Sequence, residues 1–255
     1  MPVMDEFREE REALKNADLK TKWLYFLDYY KWHTIGIIAG IIAVISFIYS
    51  AVTAKDTAFN AYFVNTYADT VKSEAFVNDF AAFAQIDLNE YYATIDTSMQ
   101  MSIDSLDEMT ISSSERIMVT IAAGEVDFLA ADEKTFSTYG TPDTMYDLRE
   151  FFTEEELEKY KDYIYYVDME EVRRKQKILD EGLVDSYVPK EYDHLAPEEM
   201  TDPVPIGLCI QDCPKLKDTY YFKGDITPMG IVGNTKHPET VRLFLDYLFG
   251  ELIQE

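Results

Sequence analysis

Two aspartates are the first candidates for chemistry in this chain. Asp127 and Asp132 bracket the apolar segment 128–131, and two carboxylates can act as general acid and general base in a hydrolase. Aspartates at strand ends also cap the turns and helices that follow, which explains both positions equally well. We therefore expect that the chain is not an enzyme, and we keep an extracytoplasmic hydrolase using acidic residues as an alternative.

The three histidines add little to a catalytic interpretation. His33 precedes a long apolar segment, His194 lies in the acidic stretch 191–194, and His237 stands before Pro238. We expect His237 to be a helix N-cap and His194 to lie in an exposed loop, with an acid-plus-histidine metal site as the alternative for His194. The sequence contains no Gly-x-Ser-x-Gly, His-Glu-x-x-His, phosphate-loop or EF-hand motif. It therefore predicts no catalytic residue, no metal site and no cofactor.

The only cysteines are Cys209 and Cys213, in Cys-Ile-Gln-Asp-Cys-Pro. Three intervening residues can be bridged where the chain turns, and disulfides persist outside the cytoplasm. A metal site would need more ligands than this pair supplies. We therefore predict a local disulfide, with metal binding and thiol chemistry as weaker alternatives.

Strands and helices alternate through the rest of the chain, which is typical of an α/β domain. A hairpin is expected over 218–232, and a long irregular loop over 182–202. The predicted strands are 58–65, 91–95, 126–131, 163–167 and 204–210. The predicted helices are 71–84, 115–123, 134–139, one opening at Thr153, 169–179 and one from Pro238 to Leu252.

Residues 34–54 are 21 residues without a charge. As a helix they would be roughly 32 Å long, close to the thickness of the hydrocarbon core of a bilayer. Both tryptophans lie just before them, and Lys15, Lys20, Lys22 and Lys31 precede them, so we expect a transmembrane helix with a cytoplasmic N-terminus. A cleaved signal peptide is the alternative, disfavoured because 33 residues precede the apolar segment.

The apolar segment divides the chain into residues 1–33, 34–54 and 55–255. We expect residues 1–33 to be helical and amphipathic and to lie at the membrane surface, or alternatively to dock a partner. The chain holds 23 basic and 48 acidic residues, of which the first 33 residues hold 6 and 7, so residues 55–255 carry 17 and 41. A formal charge of −24 excludes nucleic acid as a partner of this body.

Two stretches resemble type II extracytoplasmic solute-binding proteins. The first is 122–132, followed by Phe136 and Tyr139, and the second is 230–239 running into the last helix. This resemblance implies one or two small α/β lobes around a ligand cleft, with Ala131, Asp132 and Asn234 near the ligand. Residues 29–33 and the apolar segment also resemble uncharacterised membrane-anchored proteins of Gram-positive bacteria, a resemblance that brings no known activity.

Three differences from the solute-binding family favour an accessory role over transport. The body is shorter than most members, a transmembrane segment stands where a lipidated cysteine is usual, and no spacer follows that segment. We therefore expect a single-pass protein of the cell membrane with an extracellular binding domain. Its partner would be a small-molecule ligand or a membrane protein such as a transporter, and a self-associating structural tether is the remaining alternative.

Overall fold

The computed structural model describes residues 15, 17–29, 31–105, 107–182, 188 and 190–253. The chain divides into two compact units, Met1–Ala54 and Lys55–Glu255. The boundary lies between Ala54 and Lys55, where the sequence places the end of the apolar segment and the start of the body.

The first unit contains helix α1, Leu19–Tyr29, and helix α2, Lys31–Thr53. Within α2 the window Lys31–Ser50 is long and apolar enough to cross a membrane, and none of it is buried. Of the helix expected over residues 1–33, residues 1–14, 16 and 30 lie outside the described residues. The placement of α1 at a membrane surface stays a prediction.

The second unit is a mixed α/β domain, which confirms the α/β part of the prediction; its likeness to a solute-binding domain stays a prediction. Its strands are β1 Asp56–Phe63, β2 Tyr67–Ala68, β3 Tyr91–Asp96, β4 Phe128–Ala130, β5 Ile164–Asp168, β6 Pro203–Cys209, β7 Tyr220–Tyr221 and β8 Pro228–Ile231. Its helices are α3 Thr70–Phe83, α4 Glu108–Ala122, α5 Glu133–Tyr139, α6 Leu148–Phe151, α7 Glu154–Lys159, α8 Met169–Asp180 and α9 Pro238–Phe249.

Six strands form one sheet in the order β3-β1-β4-β8-β6-β5. Strand β1 is parallel to β3 and to β4, whereas β8 is antiparallel to β4 and to β6, and β5 is antiparallel to β6. Strands β3 and β5 are therefore the two edges. Strands β2 and β7 form a separate antiparallel ribbon.

Both faces of the sheet are covered by packed side chains. Because side chains alternate along a strand, neighbouring residues of β1 enter different cores. Phe59 and Phe63 of β1 belong to a core with Phe76 of α3 and Phe244 of α9, whereas Tyr62 belongs to a second core. The second core also holds Ile117 of α4 and Phe136 of α5. The described body is thus one sheet between helical layers, which matches one lobe and not two lobes around a cleft.

The hairpin predicted over 218–232 is wrong. Strand β7 pairs with β2, whereas β8 pairs with β4 and β6 in the large sheet. Helix α4 also begins earlier than expected, at Glu108, because the Asp107 carboxylate accepts a hydrogen bond from the Thr110 N–H at 2.7 Å and caps the first turn.

Candidate functional site

Asp132 and Ala131 follow β4, where Asp132 has a structural role. The Asp132 carboxylate caps α5 by accepting from the Thr135 N–H at 3.2 Å, and it also accepts from Asn65 Nδ2 at 2.7 Å. Burial alone would raise the pKa of Asp132, but these hydrogen bonds outweigh burial and hold that pKa below its usual value. Ala131 is fully buried. Ala131 thus offers no exposed surface, and both carboxylate oxygens of Asp132 are used within the domain.

Asn234 lies at the opposite end of the sheet from Asp132. Strand β8 runs antiparallel to β4, with Ile231 beside Phe128 and Met229 beside Ala130, so the residues after β8 lie near the start of β4. The expected site of Ala131, Asp132 and Asn234 is therefore wrong as a single site. The resemblance implied that all three lie near one ligand cleft, whereas the antiparallel direction of β8 separates Asn234 from Ala131 and Asp132.

The loop that holds Asn234 closes the C-terminal end of α4. Asn234 Nδ2 donates to the Ile121 C=O at 2.7 Å, and Lys236 Nζ donates to the Ala123 C=O at 2.8 Å. Gly124 follows with a φ of 65°, and an added Cβ there would lie 3.1 Å from the Asn234 C=O. Because helix C-termini leave carbonyls without partners, Asn234 and Lys236 act as caps.

Asp127 is the most enclosed carboxylate of this region, with 1% of its surface exposed. It accepts from the Asn60 N–H at 2.8 Å and from the Thr235 hydroxyl. His237 Nδ1 lies 3.0 Å from its Oδ1. His237 occupies the N-cap position of α9 as predicted, but its ring contacts Asp127 instead of capping the helix. Asp127 thus joins β1, β4 and the start of α9.

Asp127 and Asp132 do not form an acid–base pair. They stand before and after β4, and five residues of strand span roughly 16 Å. The Asp127–His237 contact resembles the carboxylate–imidazole half of a hydrolase site. Within the described residues, however, no serine, threonine or cysteine hydrogen-bonds to the second ring nitrogen of His237.

His194 also has a structural role. Its ring stacks on Tyr165 with centroids 4.4 Å apart and planes 7° apart, and its Nδ1 lies 2.6 Å from the Tyr166 C=O. Over the described part of the chain, no group of three His, Cys, Asp or Glu side chains is arranged to hold a metal ion. The alternative of a metal site at His194 therefore finds no ligand set there.

The disulfide predicted between Cys209 and Cys213 is not formed in the structure. Both are buried free thiols, and Cys209 packs into the core on one face of the sheet while Cys213 packs into the core on the other. The spacing suits a bridge, but the side chains point into different layers. Burial raises the pKa of each thiol to about 12, which makes both inert as nucleophiles.

One edge of the sheet, β5, is covered by the chain that precedes β6. The Tyr166 N–H donates to the His194 C=O at 2.9 Å, and the Asp168 N–H donates to the Tyr192 hydroxyl at 3.2 Å. The backbone of β5 is therefore bonded on both sides over these residues. Native proteins commonly protect an edge strand in this way.

The other edge, β3, is open. Among the described residues, none outside β1 makes a backbone hydrogen bond to residues 92–96. Beside β3 lies a groove of about 410 Å³ between the strand and α3. The residues that line it include Lys55, Ser73, Glu74, Val77, Leu88 and Tyr92.

The groove is bordered by exposed aromatic rings, with Tyr91 42% and Tyr92 56% exposed. We call β3 together with this groove the β3 groove. It is the candidate functional surface of the domain. No local pattern in the sequence predicts it, because Tyr91 and Tyr92 are typical of a strand whether that strand is central or at an edge.

No protein-family model, curated protein or solved structure matches this chain. The resemblance to solute-binding proteins therefore stays a prediction, and the functional interpretation depends on the geometry of the described residues.

Proposed function

We propose that this chain is a single-pass membrane protein of the accessory type, with its N-terminus in the cytoplasm and its α/β domain outside the cell membrane. The domain binds a membrane-protein partner through the β3 groove, as an accessory to a transporter or to an envelope assembly. The observation that carries this proposal is the open β3 edge beside a groove, in a domain whose other edge is covered.

The short connection between α2 and β1 supports a partner in the same membrane. Helix α2 ends at Thr53 and β1 begins at Asp56, so only three peptide units, at most about 11 Å of extended chain, connect them. Such a short connection favours a partner that itself lies in or at the bilayer. Anionic headgroups repel a domain with a formal charge of −24, which disfavours the lipid surface as the ligand.

The two alternatives have weaker support. For a hydrolase, the Asp127 carboxylate is already used by Asn60, Thr235 and His237. For a self-associating tether, two copies would have to bring together domains that each carry a formal charge of −24.

Site-specific photo-crosslinking in intact membranes tests this proposal. A photoreactive phenylalanine analogue placed at Tyr92 is expected to give one discrete adduct with the same integral membrane protein in independent preparations. Met118, which is 63% exposed on α4, is the matched control site and is expected to give no such adduct.

The possible outcomes distinguish the proposed binding function from its assignment to the β3 groove. An adduct from Met118 but not from Tyr92 would keep a binding role and move it away from the β3 groove. No adduct from either site, together with no thermal shift from a small-molecule panel, would contradict a binding function.

A further inference from the structure

We infer that the partner contributes an extended, positively charged segment that hydrogen-bonds to β3 as a seventh strand. This inference rests on the proposed function and specifies the ligand chemistry of the same surface. It follows from the direction of the β3 backbone groups and from the net charge of the domain.

The direction of the β1 backbone sets the direction of β3. The Asn60 C=O accepts from the Asp127 N–H at 2.8 Å and the Val64 N–H donates to the Ala130 C=O at 2.8 Å, so both residues direct backbone groups toward β4. Backbone groups alternate between the two sides of a strand. Phe59 and Ala61 therefore direct theirs toward β3.

Ala61 lies opposite Ile95 in a parallel pair. In a parallel ladder a residue bonds to the two residues that flank the residue opposite it. For Ala61 these are Thr94 and Asp96. The N–H and C=O groups of Ala93 and Ile95 therefore point away from β1, into the groove side of the edge. They offer two donors and two acceptors to an incoming strand.

Side chains of an added strand would meet α3. Val77 and Leu88 provide apolar surface in the groove, and Ser73 provides a hydroxyl. An extended segment with alternating side chains suits this geometry, because one set faces the groove while the other faces away.

The net charge of the domain favours a basic segment. The Lys55 ammonium already donates to the Leu88 C=O, and Glu74 is exposed with no ion pair among the described residues. The Leu88 carbonyl is neutral, so Lys55 keeps its positive charge, and Lys55 and Glu74 balance each other in formal charge within the groove. The formal charge of −24 on the whole domain favours lysine or arginine in the partner and disfavours a second copy of this chain.

Binding of synthetic peptides to the full-length protein in detergent micelles tests the inference. The probe is a labelled heptapeptide, Lys-Val-Lys-Val-Lys-Val-Lys, and its comparison peptide has glutamate at every lysine. The basic peptide is expected to bind, more weakly as salt rises, and the acidic peptide is expected not to bind.

Two protein variants locate the binding. Ala93→Pro removes one outward N–H and obstructs the edge, so it is expected to weaken binding at least about tenfold. Glu74→Lys is expected to weaken binding about two- to fivefold through charge alone. Glu115→Lys, the same change at an exposed site on α4, is expected to leave binding unchanged.

N-methylated peptides test the inference without any substitution in the protein. The valine N–H groups of the heptapeptide all lie on one edge when it is extended, and its lysine N–H groups lie on the other. N-methylation of one set is expected to abolish binding while methylation of the other set is tolerated.

Three results would overturn the inference. They are equal binding of the acidic peptide, basic-peptide binding that tolerates Ala93→Pro and both methylation patterns, and a dimer by light scattering that Ala93→Pro converts to a monomer. None of these results bears on whether a photoreactive group at Tyr92 crosslinks to a membrane protein, so the proposed function is tested separately from the inference.

Discussion

Replacing Asp127 with alanine is expected to lower the free energy of unfolding by about 3–5 kcal/mol. The change leaves the Asn60 N–H, the Thr235 hydroxyl and the His237 ring without their shared acceptor. Because Asp127 is almost fully buried, water cannot replace the carboxylate without opening the structure. For a domain of this size the melting temperature is expected to fall by about 6–20 °C.

Near-ultraviolet circular dichroism of the full chain in micelles measures this loss through the tyrosines. Both tryptophans lie before residue 33, so tryptophan fluorescence would not report on the domain. Asp143→Ala removes an exposed carboxylate and is the matched control, with a change of about 0.5 kcal/mol or less. A loss at Asp127 no larger than the loss at Asp143 would show that Asp127 does not join β1, β4 and α9 as described.

Replacing Phe244 with alanine is expected to cost about 3–5 kcal/mol of stability. Phe244 is fully buried on α9, and its ring centroid lies 4.5 Å from Phe59, 5.0 Å from Phe80 and 5.3 Å from Phe128. It connects α9 to the sheet and to α3, so its loss leaves a cavity that three rings cannot fill.

The adjacent residue supplies the control for Phe244. Leu243 lies on the same helix and is 36% exposed, so Leu243→Ala removes fewer buried contacts and is expected to cost much less. Denaturant titration of both variants, followed by circular dichroism, compares them. Similar midpoints for the two variants would argue against a core centred on Phe244.

The elements of the body could be predicted from local patterns, but their partners could not. The charged helix predicted over 169–179 is observed as Met169–Asp180, and the strand predicted over 91–95 is observed as Tyr91–Asp96. The hairpin over 218–232 failed because two strands with a turn between them need not pair with each other. Strand β8 pairs instead with β6 and with β4, and β4 lies about 100 residues earlier in the sequence.

The candidate site was less predictable for the same reason. Asp132 and Asn234 each follow a strand, but the antiparallel direction of β8 places them at opposite ends of the sheet. The β3 groove depends on which strand has no outer neighbour, and the residues of β3 carry no local signal of that. The spacing of Cys209 and Cys213 likewise gave no information on which face of the sheet each side chain enters.

Amide hydrogen exchange along β3 in the full-length protein tests the central claim most directly. The amides of Thr94 and Asp96 bond to β1 and are expected to exchange slowly, whereas those of Ala93 and Ile95 point outward and are expected to exchange quickly. Adding the basic heptapeptide is expected to slow Ala93 and Ile95 alone. Slow exchange at Ala93 and Ile95 without peptide, or exchange there that the peptide leaves unchanged, would contradict an open edge that receives a partner strand.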